Sequence, residues 1–301
     1  MSATVIQGLP QGSEALSNSA TLTAKKFIRK MRGGAQSVLV QCTDHQYVVV
    51  KMVGNPQGPN VLANEFIGSI VSGAAGLPVA KGSFVYLSDE FIDRNSGIWF
   101  ETPEGNLRPD AGIHFGSLFI GEPDGAFRPT DYISRSRVPF IQNRSAFLGM
   151  YILDVWSNHQ DNRQAILVNT FGTREAEVHF VDHGHMFAGP DWKFSERLGL
   201  AYHLESSLYS NLWKPAVVAD WISHFENVLP AALSRAISLL PTQWYKGNIG
   251  LLYDVLLHRL ANLTELIEAD GSGSNQAVRR STANDILRLS CSGIHMLGTS
   301  S

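Results

Sequence analysis

The most informative stretch of the sequence reads Asn158-His159-Gln160-Asp161-Asn162-Arg163-Gln164, and Val181-Asp182-His183-Gly184 follows it. The apolar runs at 165–168 and 178–181 predict two short strands, which a polar loop containing a glycine joins into a hairpin. A hairpin brings its two ends together, so Asp182 should return to the neighbourhood of Asp161. Each acidic turn taken alone is common in proteins. Their order along the chain predicts a site with two carboxylates, because a helix is followed by a polar loop, a hairpin and a second acidic turn.

The chain before this stretch divides into two parts of different composition. Residues 27–87 predict strand, glycine turn, strand, strand, helix and strand, with Asn60 as the helix cap and Gly76 as its stop. Residues 92–140 carry many Gly, Pro, Asp and Arg residues without a lasting period. Such a segment indicates a long connection with a function of its own, and it includes short predicted strands at 97–100 and 118–121.

From about residue 143 the apolar spacing is helical except at the hairpin, and residues 248–268 carry the clearest single stripe. The order predicts an α+β, two-lobed architecture, with a small β-rich N-lobe that contains one helix and a mostly helical C-lobe. Small-molecule sites usually lie in the cleft between such lobes. The predicted divisions are a loose leader at 1–22, an N-lobe at 23–90, a connector at 91–140, a C-lobe at 141–268, and a linker and C-terminal segment at 269–301.

Composition narrows the class of protein. The chain has 301 residues, of which 44% are hydrophobic and 17% charged, and its formal net charge is -3. This balance gives no electrostatic reason to expect direct binding to nucleic acid or to an anionic membrane. Cys42 and Cys291 are too few for a disulfide framework. The polar start at residues 1–19 has no signal-peptide pattern, and no run reaches the roughly 18 apolar residues of a membrane span, so a cytoplasmic protein is expected.

The charged residues and the glycine turn of the N-terminal part fit phosphoryl transfer. This reaction needs positioning and charge neutralisation more than covalent help. Gly33-Gly34 lies between two strands, where bare backbone could approach phosphates, although most such pairs are ordinary hairpin turns. Lys51 interrupts an apolar strand, and Glu65 follows within the predicted helix. One interpretation is a lysine that extends to solvent beside a solvated glutamate. The other is an ion pair that positions a nucleotide, and for these two residues by themselves the first interpretation is favoured.

Several stretches, taken together, resemble the HipA-like kinase family, in particular its stand-alone bacterial members. The resemblance covers roughly residues 30–265 and keeps its order along the chain, which makes it more specific than any single motif. The matching stretches are Arg32-Gly33-Gly34-Ala35-Gln36-Ser37, Tyr47-Val48-Val49-Val50-Lys51, Gly54-Asn55-Pro56-Gln57, Leu62-Ala63-Asn64-Glu65, Gly112-Ile113-His114-Phe115-Gly116-Ser117, Asp154-Val155-Trp156, Asp161-Asn162-Arg163-Gln164-Ala165, Asp182-His183-Gly184-His185-Met186-Phe187 and Trp244-Tyr245.

The resemblance implies a protein-kinase-like fold and an ATP- and Mg²⁺-dependent phosphotransferase. It implies that Lys51 contacts the ATP phosphates, that Glu65 holds Lys51, that Asp161 orients or deprotonates the acceptor hydroxyl, and that Asp182 binds magnesium. Gly33, Gly34 and Tyr86 complete the candidate nucleotide-binding residues. Kinase catalytic loops carry an asparagine metal ligand five residues after the catalytic aspartate, where this chain has Ile166. Gln164 offers a suitable amide oxygen and is assigned to both the nucleotide and the metal.

The acceptor cannot be read from these residues. Family analogy favours a Ser/Thr protein substrate, which is an associational argument. A small-molecule kinase or an AMP transferase would use the same fold and ATP. Ile166 favours a third interpretation, a nucleotide-binding pseudokinase that acts as a partner module. The oligomeric state is left open.

Overall fold

The computed structural model describes residues 21–121, 123, 129–170, 172–194 and 205–270. The predicted leader and the predicted C-terminal linker therefore lie largely outside the described residues. The strands are β1 Leu22–Lys30, β2 Val38–Cys42, β3 Tyr47–Lys51, β4 Gly82–Leu87, β5 Phe100–Thr102, β6 Gly105–Leu107, β7 Gly112–Leu118, β8 Gln164–Asn169 and β9 Ala176–Val181. The α-helices are α1 Val61–Ala74, α2 Asp89–Arg94, α3 Ala146–Ser157, α4 Pro215–Leu239, α5 Ile249–Ala261 and α6 Leu263–Ala269.

Five strands of the N-terminal part close into a barrel in the order β1-β2-β3-β7-β4. β1 runs parallel to β4, and the other neighbouring pairs are antiparallel. The interior is filled by β-branched side chains such as Val38, Val40, Val48, Val50 and Val85, which pack well on pleated strands. Lys51 is the last residue of β3 and lies where the barrel meets the helical part.

The helix α1 connects the barrel to the helical part, since it contacts β4, β7 and α4. Every residue from 61 to 72 is buried, including two polar side chains discussed below. Asn60 precedes the helix as predicted, but its side chain does not cap it. The Asn60 Oδ1 instead accepts a hydrogen bond from the Lys246 backbone N–H at 2.7 Å. Gly76, at φ 72°, ends the segment with the left-handed conformation that glycine tolerates.

The segment predicted as a connector contains one barrel strand. β7 pairs with both β3 and β4 and so belongs to the barrel. The strand predicted at 97–100 is instead a 3₁₀ helix at Ser96–Ile98 followed by β5. The strand predicted at 118–121 overlaps β7 only at Leu118. Gly116 interrupts the apolar pattern by which β7 would be recognised as a strand. A glycine is required there because a Cβ would lie 2.4 Å from Val85 Cγ2 and 2.6 Å from Val48 Cγ1.

The C-terminal part consists mainly of helices around α3, which is buried on all faces. The predicted hairpin is present, with β8 and β9 paired from Gln164–Val181 to Asn169–Ala176. The stripe predicted over 248–268 is divided at Asn262 into α5 and α6, although its buried leucines continue across the break. A β-rich N-terminal part and a helical C-terminal part confirm the predicted α+β class. In the described part of the chain, no helix is long and apolar enough to cross a bilayer.

Candidate active site

A cavity of about 480 Å³ lies between the barrel and the β8–β9 hairpin. One part of its wall is mostly apolar and is formed by Val49, Ala80 and residues 117–120. Another part consists of the two turn glycines and of charged or polar side chains from the glycine turn, β3, α1, the hairpin and the loops between elements. Its members are Arg32, Gly33, Gly34, Lys51, Gln57, Glu65, Asp131, Asp161, Gln164 and Asp182.

Lys51 is the centre of the charged end. Its Nζ forms an ion pair with Glu65 Oε1 and lies 2.9 Å from Asp182 Oδ1. Lys51 and Glu65 are only 7% and 3% exposed, so this is not a lysine that extends to solvent beside a solvated glutamate. A buried ammonium group without a partner would be costly. Glu65 on α1 and Asp182 in the second acidic turn are these partners, and their ion pairs join β3, α1 and that turn.

The electrostatics of this group follow from burial and charge. Burial lowers the pKa of Lys51, but the nearby carboxylates of Glu65 and Asp182 outweigh it and raise that pKa above its ordinary value. Burial raises the pKa of Asp182, but the Lys51 charge and hydrogen bond outweigh burial and lower it. Burial raises the pKa of Glu65, and Lys51 only partly offsets this. Lys51 is therefore charged, and Asp182 is a carboxylate, at neutral pH.

The hairpin places Gln164 and Asp182 side by side, because Gln164 pairs with Val181 at the open end of the ladder and Asp182 follows Val181. The Gln164 Nε2 donates a hydrogen bond to Asp182 Oδ2 at 3.0 Å. Asp182 has a φ of 63°, in the left-handed region that non-glycine residues rarely adopt. Asp161 lines the same cavity, and its Oδ1 accepts a hydrogen bond from the Asn162 N–H at 2.7 Å. The structure thus brings Asp161, Gln164 and Asp182 to one cavity, with Gln164 and Asp182 in contact.

Arg163 fixes both acidic loops, a role that the sequence pattern does not indicate. Its guanidinium group pairs in a bidentate manner with the buried carboxylate of Asp154 on α3. The Arg163 Nη1 donates to the carbonyls of Val181 at 3.1 Å and Asp182 at 2.9 Å. Burial, followed by the Arg163 charge, lowers the pKa of His159 well below its ordinary value, so this neighbouring ring stays neutral. The unusual backbone at Asp182 is therefore held by a buried ion pair.

Asn64 holds the segment that follows Asp182 against α1. Its Nδ2 donates to the carbonyls of Gly184 at 2.9 Å, Met186 at 2.9 Å and Gly189 at 3.1 Å. Its Oδ1 accepts from the Trp192 indole N–H at 2.7 Å. Because Asn64 is adjacent to Glu65, the helix that carries Glu65 and the segment that carries Asp182 are fixed to one another. The sequence pattern carries no signal for this role, since only tertiary structure brings these carbonyls to Asn64.

Tyr86 is removed from the candidate nucleotide-binding residues. It does not line the cavity, and it is 40% exposed. Successive side chains of a strand point to opposite faces, and Val85 and Leu87 are buried in the barrel, so Tyr86 faces outward. Ile166 does line the cavity, on the same strand as Gln164.

The side chains at the charged end fit a hard divalent cation. The described residues contain no cluster of three or more His, Cys, Asp or Glu side chains that would form a metal cage by themselves. Magnesium, however, is usually held by one or two carboxylates together with substrate phosphates and water. The Asp182 and Asp161 carboxylates line the cavity with oxygen donors of this kind, and the Gln164 side chain, whose Nε2 contacts Asp182, carries an amide oxygen as well.

Comparison with known proteins defines the fold. No protein-family model and no curated protein matches the chain. Its structure is similar to that of a Golgi casein kinase, with a TM-score of 0.50 and 14% identity over 84% of this chain and 75% of that chain. It is also similar to the Helicobacter pylori proinflammatory kinase CtkA, with a TM-score of 0.54 and 9% identity over 83% of this chain and 97% of that chain.

A third structure, Shewanella oneidensis HipA with HipB and operator DNA, aligns over 88% of this chain and 69% of that chain. Its TM-score of 0.46 and its identity of 11% are too low to carry an argument. Similarity at these identities shows the fold alone. The chain has a two-lobed, protein-kinase-like fold, as its resemblance to the HipA-like kinases predicts.

Proposed function

We propose that this chain is an ATP- and Mg²⁺-dependent phosphotransferase. The observation that carries the proposal is the position of Lys51 between Glu65 and Asp182 at the charged end of a cleft that Asp161 also lines. The cavity volume of about 480 Å³ suits a nucleotide-sized ligand, and its apolar wall suits a base. Two structurally similar proteins are named as kinases, which supports the same class of reaction.

Each side chain has a task in this proposal. Lys51 is charged and held from two sides, so it can orient the phosphates of a nucleotide without moving. Asp182 and Gln164 would hold the cation, which neutralises phosphate charge when it is bound. Asp161 would accept the proton of the acceptor hydroxyl. In the same step a bond forms between the acceptor oxygen and the terminal phosphorus, and the bond to the ADP oxygen breaks.

We further propose a Ser/Thr side chain of a protein as the acceptor and a cytoplasmic location, both by analogy with the HipA-like kinases. One observation favours a second candidate. Ile166 lines the cavity where kinases carry a metal-binding asparagine, which suits a nucleotide-binding pseudokinase. Gln164 argues for the enzyme, because its side-chain amide lies beside Asp182 and a half-turn of that amide, whose Nε2 now contacts the carboxylate, would present the amide oxygen to a cation held there.

The test of nucleotide binding is a calorimetric titration of the wild-type chain with ATP and magnesium. We expect Lys51→Ala to weaken binding at least about tenfold, since it removes a charge-assisted contact with the phosphates. The matched control is Lys25→Ala, because Lys25 is exposed on β1 and does not line the cavity. Circular dichroism of each variant checks that the fold is retained. Absence of binding to the folded wild-type chain at millimolar ATP and magnesium would refute the proposal.

A further inference from the structure

The motif Gly54-Asn55-Pro56-Gln57-Gly58 connects β3, which ends at Lys51, to α1, which carries Glu65. It forms a tight turn that Asn55 organises. The Gly58 N–H donates to the Asn55 carbonyl at 3.1 Å, and the Gln57 N–H donates to Asn55 Oδ1 at 3.0 Å. Gly58 also packs so closely on Pro190 that a Cβ would lie 2.5 Å from the proline Cβ. The turn is therefore fixed both internally and against the segment that follows Asp182.

Asn55 also holds the glycine turn that covers the cavity. Its side chain is 6% exposed, and its Nδ2 donates to the Ala35 carbonyl at 2.9 Å. The next residue, Gln36, pairs with the backbone of Glu101 through hydrogen bonds of 2.8 and 2.7 Å. These two anchors, at consecutive residues, hold the end of the glycine turn to Asn55 and to β5.

Gln57 projects from this fixed turn into the cavity wall. Its Nε2 would lie only 3.1 Å from a Cβ placed on Gly34, so the glycine leaves room for the amide. Gln57 is half-buried, and within the described ranges no hydrogen bond to its side-chain amide is found, although its backbone N–H is bonded to Asn55. An amide held next to the glycine turn and facing an open cavity is placed to bind a ligand.

The position of Gln57 identifies which part of a ligand it meets. It lies beside Gly34 and follows β3 beyond Lys51, and it lines the same cavity as Lys51 and Asp182, whereas the apolar lining comes from Val49 and residues 117–120. A nucleotide with its base against the apolar wall would direct its phosphates toward Gln57. The amide N–H groups are neutral donors, which suit phosphate oxygens already neutralised by a lysine and a cation.

We propose that Gln57 is a further catalytic residue, whose amide donates hydrogen bonds to the terminal phosphate of the bound nucleoside triphosphate, and that Asn55 is its positioning residue. This inference rests on the proposed phosphotransferase function. It assigns a role to the motif at residues 54–58, which has none in the proposed function.

The experiment compares the affinities of the full chain for ADP and for the imido analogue of ATP, each with magnesium. Gln57→Ala should weaken binding of the analogue about tenfold, the worth of one charge-assisted hydrogen bond, and change ADP affinity less than about twofold. Gln57→Glu keeps the shape but loses both donors and adds a negative charge, so it should weaken the analogue further. Gln46→Ala, at an exposed glutamine in the β2–β3 turn, should change neither affinity.

The outcomes separate this inference from the proposed function. If the wild-type chain binds neither nucleotide, the proposed function fails and the inference fails with it. If the wild-type chain binds both, and both Gln57 variants keep its ratio of the two affinities, only the inference is overturned. An equal loss of ADP and analogue affinity also overturns it, because a purely structural role for Gln57 has that effect. If Gln57→Ala does not fold, the isosteric Gln57→Glu variant gives the same comparison.

Discussion

Replacement of Arg163 by methionine would leave the Asp154 carboxylate, which is 0% exposed, without a counter-charge. It would also remove the donor to the carbonyls of Val181 and Asp182. Loss of one partner of a buried ion pair costs about 3–5 kcal/mol, against about 5–15 kcal/mol for the whole stability of a typical domain. We therefore expect Arg163→Met to lower the free energy of unfolding by at least about 3 kcal/mol at pH 7, measured by urea denaturation.

Two further measurements test whether the unpaired Asp154 carboxylate causes the loss of stability in Arg163→Met. Burial already raises the pKa of Asp154, and without Arg163 that pKa should rise further. A carboxyl with a raised folded-state pKa destabilises the protein above that pKa, so the penalty of Arg163→Met should shrink as the pH falls and Asp154 takes up a proton. Asp154→Leu in the Arg163→Met background should recover part of the loss.

The control is Arg94→Met, because the ion pair of Arg94 with Glu90 is largely exposed and should be worth less than about 1 kcal/mol. A loss below about 1 kcal/mol for Arg163→Met, or a loss that does not depend on pH, would contradict this account of the buried pair.

Two other predictions concern acid sensitivity and the cation. Burial lowers the pKa of His114 to about 4, so between that pH and the unfolded value of about 6.5 the unfolded chain binds a proton that the folded chain does not. As the pH falls through this range, His114 should lower the free energy of unfolding by about 1.4 kcal/mol per pH unit. His114→Asn keeps an acceptor for the Val53 N–H and should therefore reduce the slope of unfolding free energy against pH. Gln164→Ala should raise the magnesium concentration for half-maximal ATP binding in a calorimetric titration without changing the melting temperature of the unliganded chain, since Gln164 is exposed. An unchanged magnesium requirement would remove Gln164 from the cation site.

Sequence patterns were sufficient to predict which charged residues meet in the cleft. A lysine at the end of an apolar strand, a glutamate within the next helix and two acidic turns around a hairpin are visible in order, and the structure brings Lys51, Glu65, Asp161 and Asp182 to one cavity. The hairpin itself was predicted from two short apolar runs, because its loop is short and its strands are neighbours in sequence.

Other residues could not be predicted because their partners are backbone carbonyls that only tertiary structure brings near. Arg163 and Asn64 donate mainly to such carbonyls, and no residue spacing encodes that arrangement. β7 was not predicted because position 116 must be a glycine, since Val48 and Val85 leave no room for a Cβ, and a glycine interrupts the apolar pattern of a strand. The face on which Tyr86 lies could not be predicted, because the run Phe84-Val85-Tyr86-Leu87 has no charged side chain to mark the exposed face.

The central claim is that Asp161 serves transfer rather than nucleotide binding, in a cleft where Lys51 holds the phosphates. It is tested most directly by the turnover of ATP labelled on its terminal phosphate, measured with the wild-type chain and with Asp161→Asn under saturating magnesium. We predict label transfer or release by the wild-type chain. For Asp161→Asn we predict a loss of about a hundredfold or more with nearly unchanged ATP affinity. Equal turnover by the two proteins would contradict the assignment of Asp161, and no turnover by a wild-type chain that binds ATP would favour the pseudokinase.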